Sequence, residues 1–309
     1  MEQIKVSFVI PAHNEEKIIG KTLSNLEKLP YNEYEVLIGL DGCTDNTEKI
    51  VKSFSSKSKR FKYFNLKTRS GKPEVVDYLI KRAKGDIIII NDADWIFRFN
   101  DKNSLKKFLM IFRNEKIGGI AESFPVEWDE NKLELANIWY KVVAYGNYFW
   151  IKSQKENFTE KIGDLSYIKE PAMFLTNIFR KEFYEKNLSL GDDFERTRDI
   201  KNKGFEIVIS NEENIPRMVA IYDEIRLNDI LKQKIRTGVA RNQLEKKGEN
   251  IKKYQFSSGT YIMFNSWKMG FSSGLYSNLW LLITIIGGII AKLKRTDTKQ
   301  GWLLRAKRK

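Results

Sequence analysis

A single cysteine, Cys43, and a single histidine, His13, stand in a chain of 309 residues. One thiol excludes an intramolecular disulfide and fits a reducing compartment. Without a histidine/cysteine cluster, a structural zinc site of the usual ligand sets is excluded. His13 reads as a polar loop residue. Charged and polar residues flank the first apolar run, Val6 to Ile10, so no secretory signal is expected. No G-x-G-x-x-G follows that run, which disfavours a dinucleotide oxidoreductase. Internal repeats and low-complexity stretches are absent.

Acidic residues are also in short supply: 40 Asp and Glu against 54 Lys and Arg give a formal charge of +14. That excess favours an anionic partner, whether nucleic acid, acidic lipid or a phosphorylated substrate. No recognised nucleic-acid-binding motif accompanies it, so nucleic acid is not the expected partner. At 42% hydrophobic residues the chain builds a sizeable core, as one large domain with an appendage or as two domains.

Strands and helices alternate through the first half. Apolar runs at Val6–Ile10, Glu35–Leu40, Phe61–Leu66, Asp86–Ile90 and Gly119–Phe124 predict strands. Helical patterns lie between them, over Asn14–Leu29, Thr47–Phe54, Pro73–Ala83 and Leu105–Arg113. The order predicts an α/β fold with a mostly parallel, Rossmann-like sheet and helices on both faces. An aromatic-rich helix follows over Leu133–Lys152, carrying Trp139, Tyr140, Tyr145, Tyr148 and Trp150 for packing or for stacking on sugar. Then come an apolar stretch at Ala172–Phe179, a helix ending at Gly204, a strand, and a basic helix over Leu227–Lys246.

The acidic residues that remain are grouped. Asp41 and Asp45 follow the second strand, Asp92 and Asp94 follow the isoleucine strand, and Asp192 and Asp193 open a later helix. In an open α/β sheet ligands bind outside the carboxyl ends of the strands, where the first two groups fall. Asp92 and Asp94 are open to two readings: a solvated turn with capping carboxylates, or hard oxygen ligands for Mg²⁺ or Mn²⁺ shared with a phosphate. Asp41 is placed to accept hydrogen bonds from a nucleobase or ribose, and Asp193 to act as a general base.

These segments resemble the family 2 glycosyltransferases of the GT-A (nucleotide-diphospho-sugar transferase) fold. VSFVIPAHNEEKIIGKTL resembles the opening strand, loop and helix of that family, and LIGLDGCTDNT its second strand and aspartate-rich turn. SGKPEVVDYLIKRAKGDIIIINDAD resembles the run from the Gly-Lys motif to the Asp-x-Asp metal motif, and GDDFERTRDIKNKGFEIVI the helix that opens on the catalytic acidic pair. QKIRTG, residues 233 to 238, is similar to the Gln-x-x-Arg-Trp motif of processive members. The resemblance covers roughly residues 4 to 240. It implies an inverting, metal-dependent transfer of sugar from a nucleotide donor, most often a UDP-sugar, to a lipid-linked or polysaccharide acceptor. Pro11, Ala12, Asn14, Glu15, Asp41, Lys72, Asp92 and Arg236 would then line the donor site. Asp92 and Asp94 would face the metal, Mg²⁺ or Mn²⁺, and Asp193, beside Asp192, would be the base. The chain departs from the pattern at Thr237, where processive members carry Trp, and at Arg196, where Leu is usual. Asp199 stands where the family has a later Arg, with Arg198 one place earlier. The alternatives are a nucleotidyltransferase of related fold, against which the acidic PAHNEE loop argues, and a non-enzymatic basic protein that binds nucleic acid or lipid.

Leu275 to Ala291 is the most apolar stretch, with Tyr276 and Trp280 near its start and a basic tail beyond it: Lys292, Lys294, Arg295, Lys299, Arg305, Lys307, Arg308 and Lys309. About 17 residues is the short limit for a spanning helix. A single span from a cytoplasmic catalytic domain would set the basic tail outside, against the positive-inside rule. The expected arrangement is a peripheral, re-entrant or spanning segment over 275–291 at the cytoplasmic face of an anionic membrane, with Tyr254–Phe271 as the other arm if it forms a hairpin; the alternative is a buried core helix with a solvated tail. The expected division is a catalytic domain over 1–225, a basic helical extension over 226–253 and a membrane-associated segment over 254–309.

Overall fold

The computed structural model describes residues 4–99, 103–122, 136–172, 174–186, 189–212, 216–220 and 225–293. Four strands form one half of the sheet: β1 (Val6–Ala12), β2 (Tyr34–Asp41), β3 (Phe61–Leu66) and β4 (Ile87–Ile90), mutually parallel in the order β3-β2-β1-β4. The apolar runs of β1, β2 and β4 are buried on both faces, as parallel strands under helices require, while β3 at the edge is partly exposed. Residues alternate between two cores. Phe8, Ile10, Ile38 and Ile89 enter one; Val9, Leu37, Ile88 and Ile90 enter the other.

Helices α1 (Ile19–Glu27), α2 (Thr47–Lys57), α3 (Lys72–Ile80) and α4 (Ser104–Leu109) connect these strands and lead to β6. The α3 helix packs so closely on β2 that a Cβ at Gly39 would lie 2.3 Å from Val75 Cγ1. The first helix starts five residues later than its pattern predicts. Asn14 has φ +53, a left-handed conformation Asn tolerates, and residues 15–18 form a turn before the helix. The pattern over 105–113 divides into α4 and a 3₁₀ turn at Met110–Arg113.

Beyond β4 the sheet becomes mixed. β9 (Ile178–Arg180) inserts antiparallel between β4 and β6 (Ile117–Ile120), then β10 (Glu206–Ser210) runs parallel to β6. A hairpin of β7 (Thr159–Ile162) and β8 (Leu165–Ile168) closes the edge. Only β8 and β9 oppose the common direction, so the nine-stranded sheet is mostly parallel. A two-stranded ribbon pairs β5 (Trp95–Arg98) with β11 (Arg217–Ala220). The expected strand to Phe124 ends at Ile120; residues 123–135 lie outside those described.

Four helices pack together beside the sheet: α5 (Ile138–Phe158), α7 (Leu227–Lys246), α8 (Ile251–Asn265) and α9 (Phe271–Leu293). The α5 aromatics Trp139, Tyr140, Tyr145, Tyr148 and Trp150 pack around Val142, Phe149, Ile262 and Trp280, so packing is their observed role. Small residues let the helices approach: a Cβ at Gly238 of α7 would lie 2.7 Å from Ala291 Cβ of α9. One more helix, α6 (Asp192–Asn202), ends at Gly204, whose φ of +84 is the left-handed cap its position predicts. Of the basic tail, Lys292 is described and residues 294–309 are not.

Candidate active site

The parallel registers bring the carboxyl ends of β1, β2 and β4 to one edge, with Ala12 opposite Leu40 and Val9 opposite Ile90. Pro11, Ala12, Asp41, Asp92 and Asp94 therefore converge there. The loops after β1 and β2 are laced into one rim. Thr44 N–H donates to Asn14 Oδ1 at 2.8 Å, Glu15 N–H to Thr47 Oγ1 at 2.7 Å, and Asn46 N–H to Glu16 Oε2 at 2.9 Å. His13 Nδ1 lies 2.5 Å from the Asp41 main-chain oxygen, tying the rim to β2. Cys43 is a half-buried thiol near the Ala12 carbonyl, pushed up to about 11 chiefly by desolvation, which leaves it inert.

The Asp41 carboxylate is fully buried and accepts from Ser70 N–H at 2.6 Å, Ser70 Oγ at 2.9 Å and Gly71 N–H at 2.9 Å. It thus fixes the loop before α3, in which Gly71 adopts φ +97. The same loop carries Arg69, a residue the sequence motifs pass over. Its Nε and Nη2 are buried with no hydrogen-bond acceptor among the described residues, and its backbone lies against Gly42 of the rim. Lys72, one place after Gly71, forms an ion pair with Asp92 at 2.9 Å, both side chains largely buried.

The Asp-Ala-Asp turn is held from behind. Asn91 Nδ2 donates to the carbonyls of Asp92 and Trp95, each at 2.9 Å, and Thr22 Oγ1 donates to Ala93 O at 2.7 Å. Asp92 and the half-buried Asp94 flank buried Ala93 in a clamped turn. Among the described residues no group of three His, Cys, Asp or Glu is spaced to hold a metal. Two carboxylates with a neighbouring lysine fit a divalent cation that takes its remaining ligands from a diphosphate and water.

Asp192 and Asp193 open α6. Gly191 precedes them with no room for a side chain, since its Cβ would lie 2.6 Å from Leu244 of α7. Gln243 accepts from Leu190 N–H at 3.0 Å, and Lys247 pairs with buried Glu195, so the end of α7 braces the start of α6. Arg196, almost fully buried, reaches Asp192 at 2.9 Å and Asp193 at 3.3 Å. It is anchored on Thr176 O at 2.8 Å and Asn177 Oδ1 at 3.0 Å. Desolvation, then the neighbouring Asp192, pushes the Asp193 carboxyl up to about 6; Lys72 and Arg196 act against that and Asp92 with it. Its side chain remains 30% exposed. Asp193 thus feels charges from the Lys72–Asp92 pair as well as from its own helix. Arg236 is half-buried on α7, next to the buried pair Lys234 and Ile235.

Residues 7–183 match the family described as "Glycosyl transferase family 2". The chain belongs to glycosyl transferase family 2. The Methanococcus voltae dolichyl N-acetyl-alpha-D-glucosaminyl phosphate 3-beta-D-2,3-diacetamido-2,3-dideoxy-beta-D-glucuronosyltransferase is 26% identical over 257 residues, 79% of this chain and 74% of that protein. The poly-beta-1,6-N-acetyl-D-glucosamine synthase of Staphylococcus epidermidis is 30% identical over 116 residues, 38% of this chain and only 27% of that protein. Among solved structures, the mannosyltransferase PcManGT from Pyrobaculum calidifontis, in complex with GDP-Man and Mn²⁺, superposes with a TM-score of 0.57. It is 15% identical, and the match covers 98% of this chain and 79% of that one. S. aureus TarS 1-349 with UDP-GlcNAc gives 0.50 at 16% identity, covering 93% and 81%. These likenesses show the GT-A fold. Membership of a glycosyltransferase family sets aside the nucleotidyltransferase and non-enzymatic alternatives.

In this glycosyltransferase the departure at Arg196 gains a physical meaning: the arginine that replaces the usual Leu is the cation between the two acids. Replacing it by Leu removes a charge that lowers the Asp193 pKa. We expect Arg196→Leu to move the acid limb of the kcat/KM profile to higher pH by about a unit, with Arg196→Lys restoring part of the shift. Stability should fall by about 2–3 kcal/mol, because two partly buried carboxylates and the Thr176 carbonyl lose their partner. An unmoved pH profile would mean that Arg196 serves packing alone.

Proposed function

We propose that the enzyme transfers a sugar, with inversion, from a nucleoside-diphosphate donor to a hydroxyl of a lipid-linked or polysaccharide acceptor at the cytoplasmic membrane face. The observation that supports this reading is that the charges of Lys72 and Asp92, themselves an ion pair, both act on the Asp193 carboxyl. A donor diphosphate at the carboxyl edge, with Pro11, Ala12, Asn14, Glu15 and Asp41 shaping the rim, would set its anomeric carbon towards that carboxylate. Asp193 takes the proton of the acceptor hydroxyl as the new C–O bond forms and the bond to the diphosphate breaks on the opposite face. The nucleoside diphosphate leaves with the bonding electrons. Lys72, Arg69 and Arg236 supply positive charge for it. Asp92 and Asp94 would hold Mg²⁺ or Mn²⁺, which stabilises the charge that develops on the leaving group. The Mn²⁺ in the mannosyltransferase complex supports a divalent cofactor, and the UDP-GlcNAc complex of TarS supports a UDP-sugar. The dolichyl acceptor in the name of the archaeal relative supports a lipid-linked one. The test is nucleoside diphosphate release from a panel of nucleotide sugars with Mn²⁺, Mg²⁺ or EDTA. Release from one donor, dependent on metal, is expected; no release and no donor-induced thermal shift would sink the reading.

The proposed division remains 1–225 catalytic, 226–253 basic extension and 254–309 membrane-associated. The helix α9 has 23 residues and is long and apolar enough to cross a membrane. One face, with Ser273, Ser277, Trp280, Ile283, Gly287 and Ala291, packs inward on the other helices. The opposite face, with Leu275, Leu282, Ile285 and Ile289, is exposed, and Phe264, Trp267 and Phe271 are exposed at the turn from α8. A helix half committed to a protein core supports lying in the bilayer interface rather than spanning it. Wild type should sediment with vesicles containing anionic lipid. Replacing Phe264, Trp267 and Phe271 by Ser should weaken that binding at least tenfold, since each large apolar side chain withdrawn from lipid is worth about 1.5–3 kcal/mol. Equal partitioning of the two proteins would remove this surface from the account.

A further inference from the structure

Inside the four-helix unit lies a group of hydrogen-bond donors without acceptors. Lys234 of α7 is only 7% exposed, and its Nζ sits 3.7 Å from the centre of the Trp280 ring of α9. The α9 backbone presses on it at Gly287, where a Cβ would lie 2.6 Å from Lys234 Cβ. Arg241, two turns further along α7, stacks its guanidinium 5.1 Å from the centre of the Trp150 ring of α5. The two tryptophan rings lie 6.0 Å apart. Among the described residues neither cation has an ion-pair partner within salt-bridge distance. Arg241 Nε, Trp280 Nε1 and Ser277 Oγ are buried with no acceptor. Burial, and then the charge of Arg241, hold the Lys234 amine well below its usual range; burial takes Arg241 down to about 10, against a weak pull from Glu245.

Two like charges, one buried and one half-buried, repel, and each has lost hydration. Cation–π contacts return only a part of that cost. Every unmatched group can donate, and an anion with several acceptor oxygens would satisfy them together. Arginine, lysine, indole N–H and hydroxyl together are the groups that recognise phosphate.

We propose that Lys234 and Arg241, with Trp150, Trp280 and Ser277, form a second binding site that takes a phosphate group of the acceptor. Its place in the fold supports this. Lys234 and Arg241 are about 10 Å apart along α7. The same helix then reaches Gln243 and Lys247, which brace the start of the helix bearing Asp193. On the other side, α9 turns its exposed apolar face outward. A phosphate held here would sit on the helix that braces the start of α6 and against the helix whose other face is apolar and exposed, as the charged group of an amphipathic acceptor requires. Assigning the phosphate to the acceptor rests on the transferase reading; the anion site itself does not.

The experiment is thermal unfolding of the full chain in neutral detergent with EDTA, alone and with farnesyl phosphate, farnesol or inorganic phosphate. Wild type should gain about 5 °C at a hundredfold excess over Kd. Farnesyl phosphate alone giving the gain assigns a lipid phosphate; inorganic phosphate giving it as well assigns a phosphate carried on a soluble acceptor. Lys234→Met and Arg241→Met, tested separately, should unfold no earlier than wild type without ligand and should each lose the gain. Should one variant not fold, the other carries the comparison, and quenching of tryptophan fluorescence by farnesyl phosphate is measured on wild type. No shift with either phosphate, a shift with farnesol equal to that with farnesyl phosphate, or an equal shift in both variants overturns the site. Because the readout is binding, its failure leaves diphosphate release unaffected, and the converse holds.

Discussion

Asp193→Asn should lower kcat by about 10²–10⁴-fold while donor affinity holds. Asparagine keeps the size of the side chain and an oxygen for Arg196, so the start of α6 should remain folded. What it lacks is the capacity to accept the proton of the attacking hydroxyl. Asp192→Asn is expected to cost less, about tenfold, because Asp192 acts through its ion pair with Arg196 and through the repulsion that raises its neighbour. The pH dependence has a defined sign. As the proposed base Asp193 would work ionised, and its carboxyl is pushed up to about 6. The wild-type kcat/KM should therefore be flat above neutrality and fall about tenfold per unit below pH 6. A profile flat to pH 4, or an Asn variant with near wild-type turnover, would exclude Asp193 as the base.

Asp94→Ala, or EDTA in the wild-type assay, should reduce turnover by at least about 100-fold. Asp92 pairs with Lys72 at 2.9 Å, and Asp94 is the second carboxylate of the same clamped turn. On the proposed reading the donor diphosphate would supply the remaining oxygen ligands, so the loss should be cooperative: Mn²⁺ should bind the wild type tightly only when nucleoside diphosphate is present. Titration of Mn²⁺ with and without UDP, followed by electron paramagnetic resonance, reads this directly. Equal Mn²⁺ affinity in wild type and Asp94→Ala, with equal turnover, would assign the turn to capping alone.

The sequence by itself determined the catalytic half. Continuous β-branched runs such as Ile87–Ile90 report burial on both faces, and polar residues just beyond them report where a strand stops. Alternation with helices then leaves parallel pairing as the simple solution, which puts Asp41, Asp92 and Asp94 on one edge before any coordinate is known. The basic helix over Leu227–Lys246 was legible to the residue for the same reason. Only the tertiary structure decided what depends on distant partners. A three-residue strand, Ile178–Arg180, carries no mark of direction; it runs antiparallel because the gap between β4 and β6 is where its two edges can be paired. The ribbon of β5 and β11 joins segments more than a hundred residues apart. Arg196 was visible only as a departure from a motif, and its contacts with both acids come from the helical spacing that sets i+3 and i+4 on one face, combined with anchors at Thr176 and Asn177. The apolar run in α9 could not say which side is covered, since hydropathy reports the sum over a helix. Packing at Gly238, Gly287 and Ala291 is what buries one face and leaves the other open.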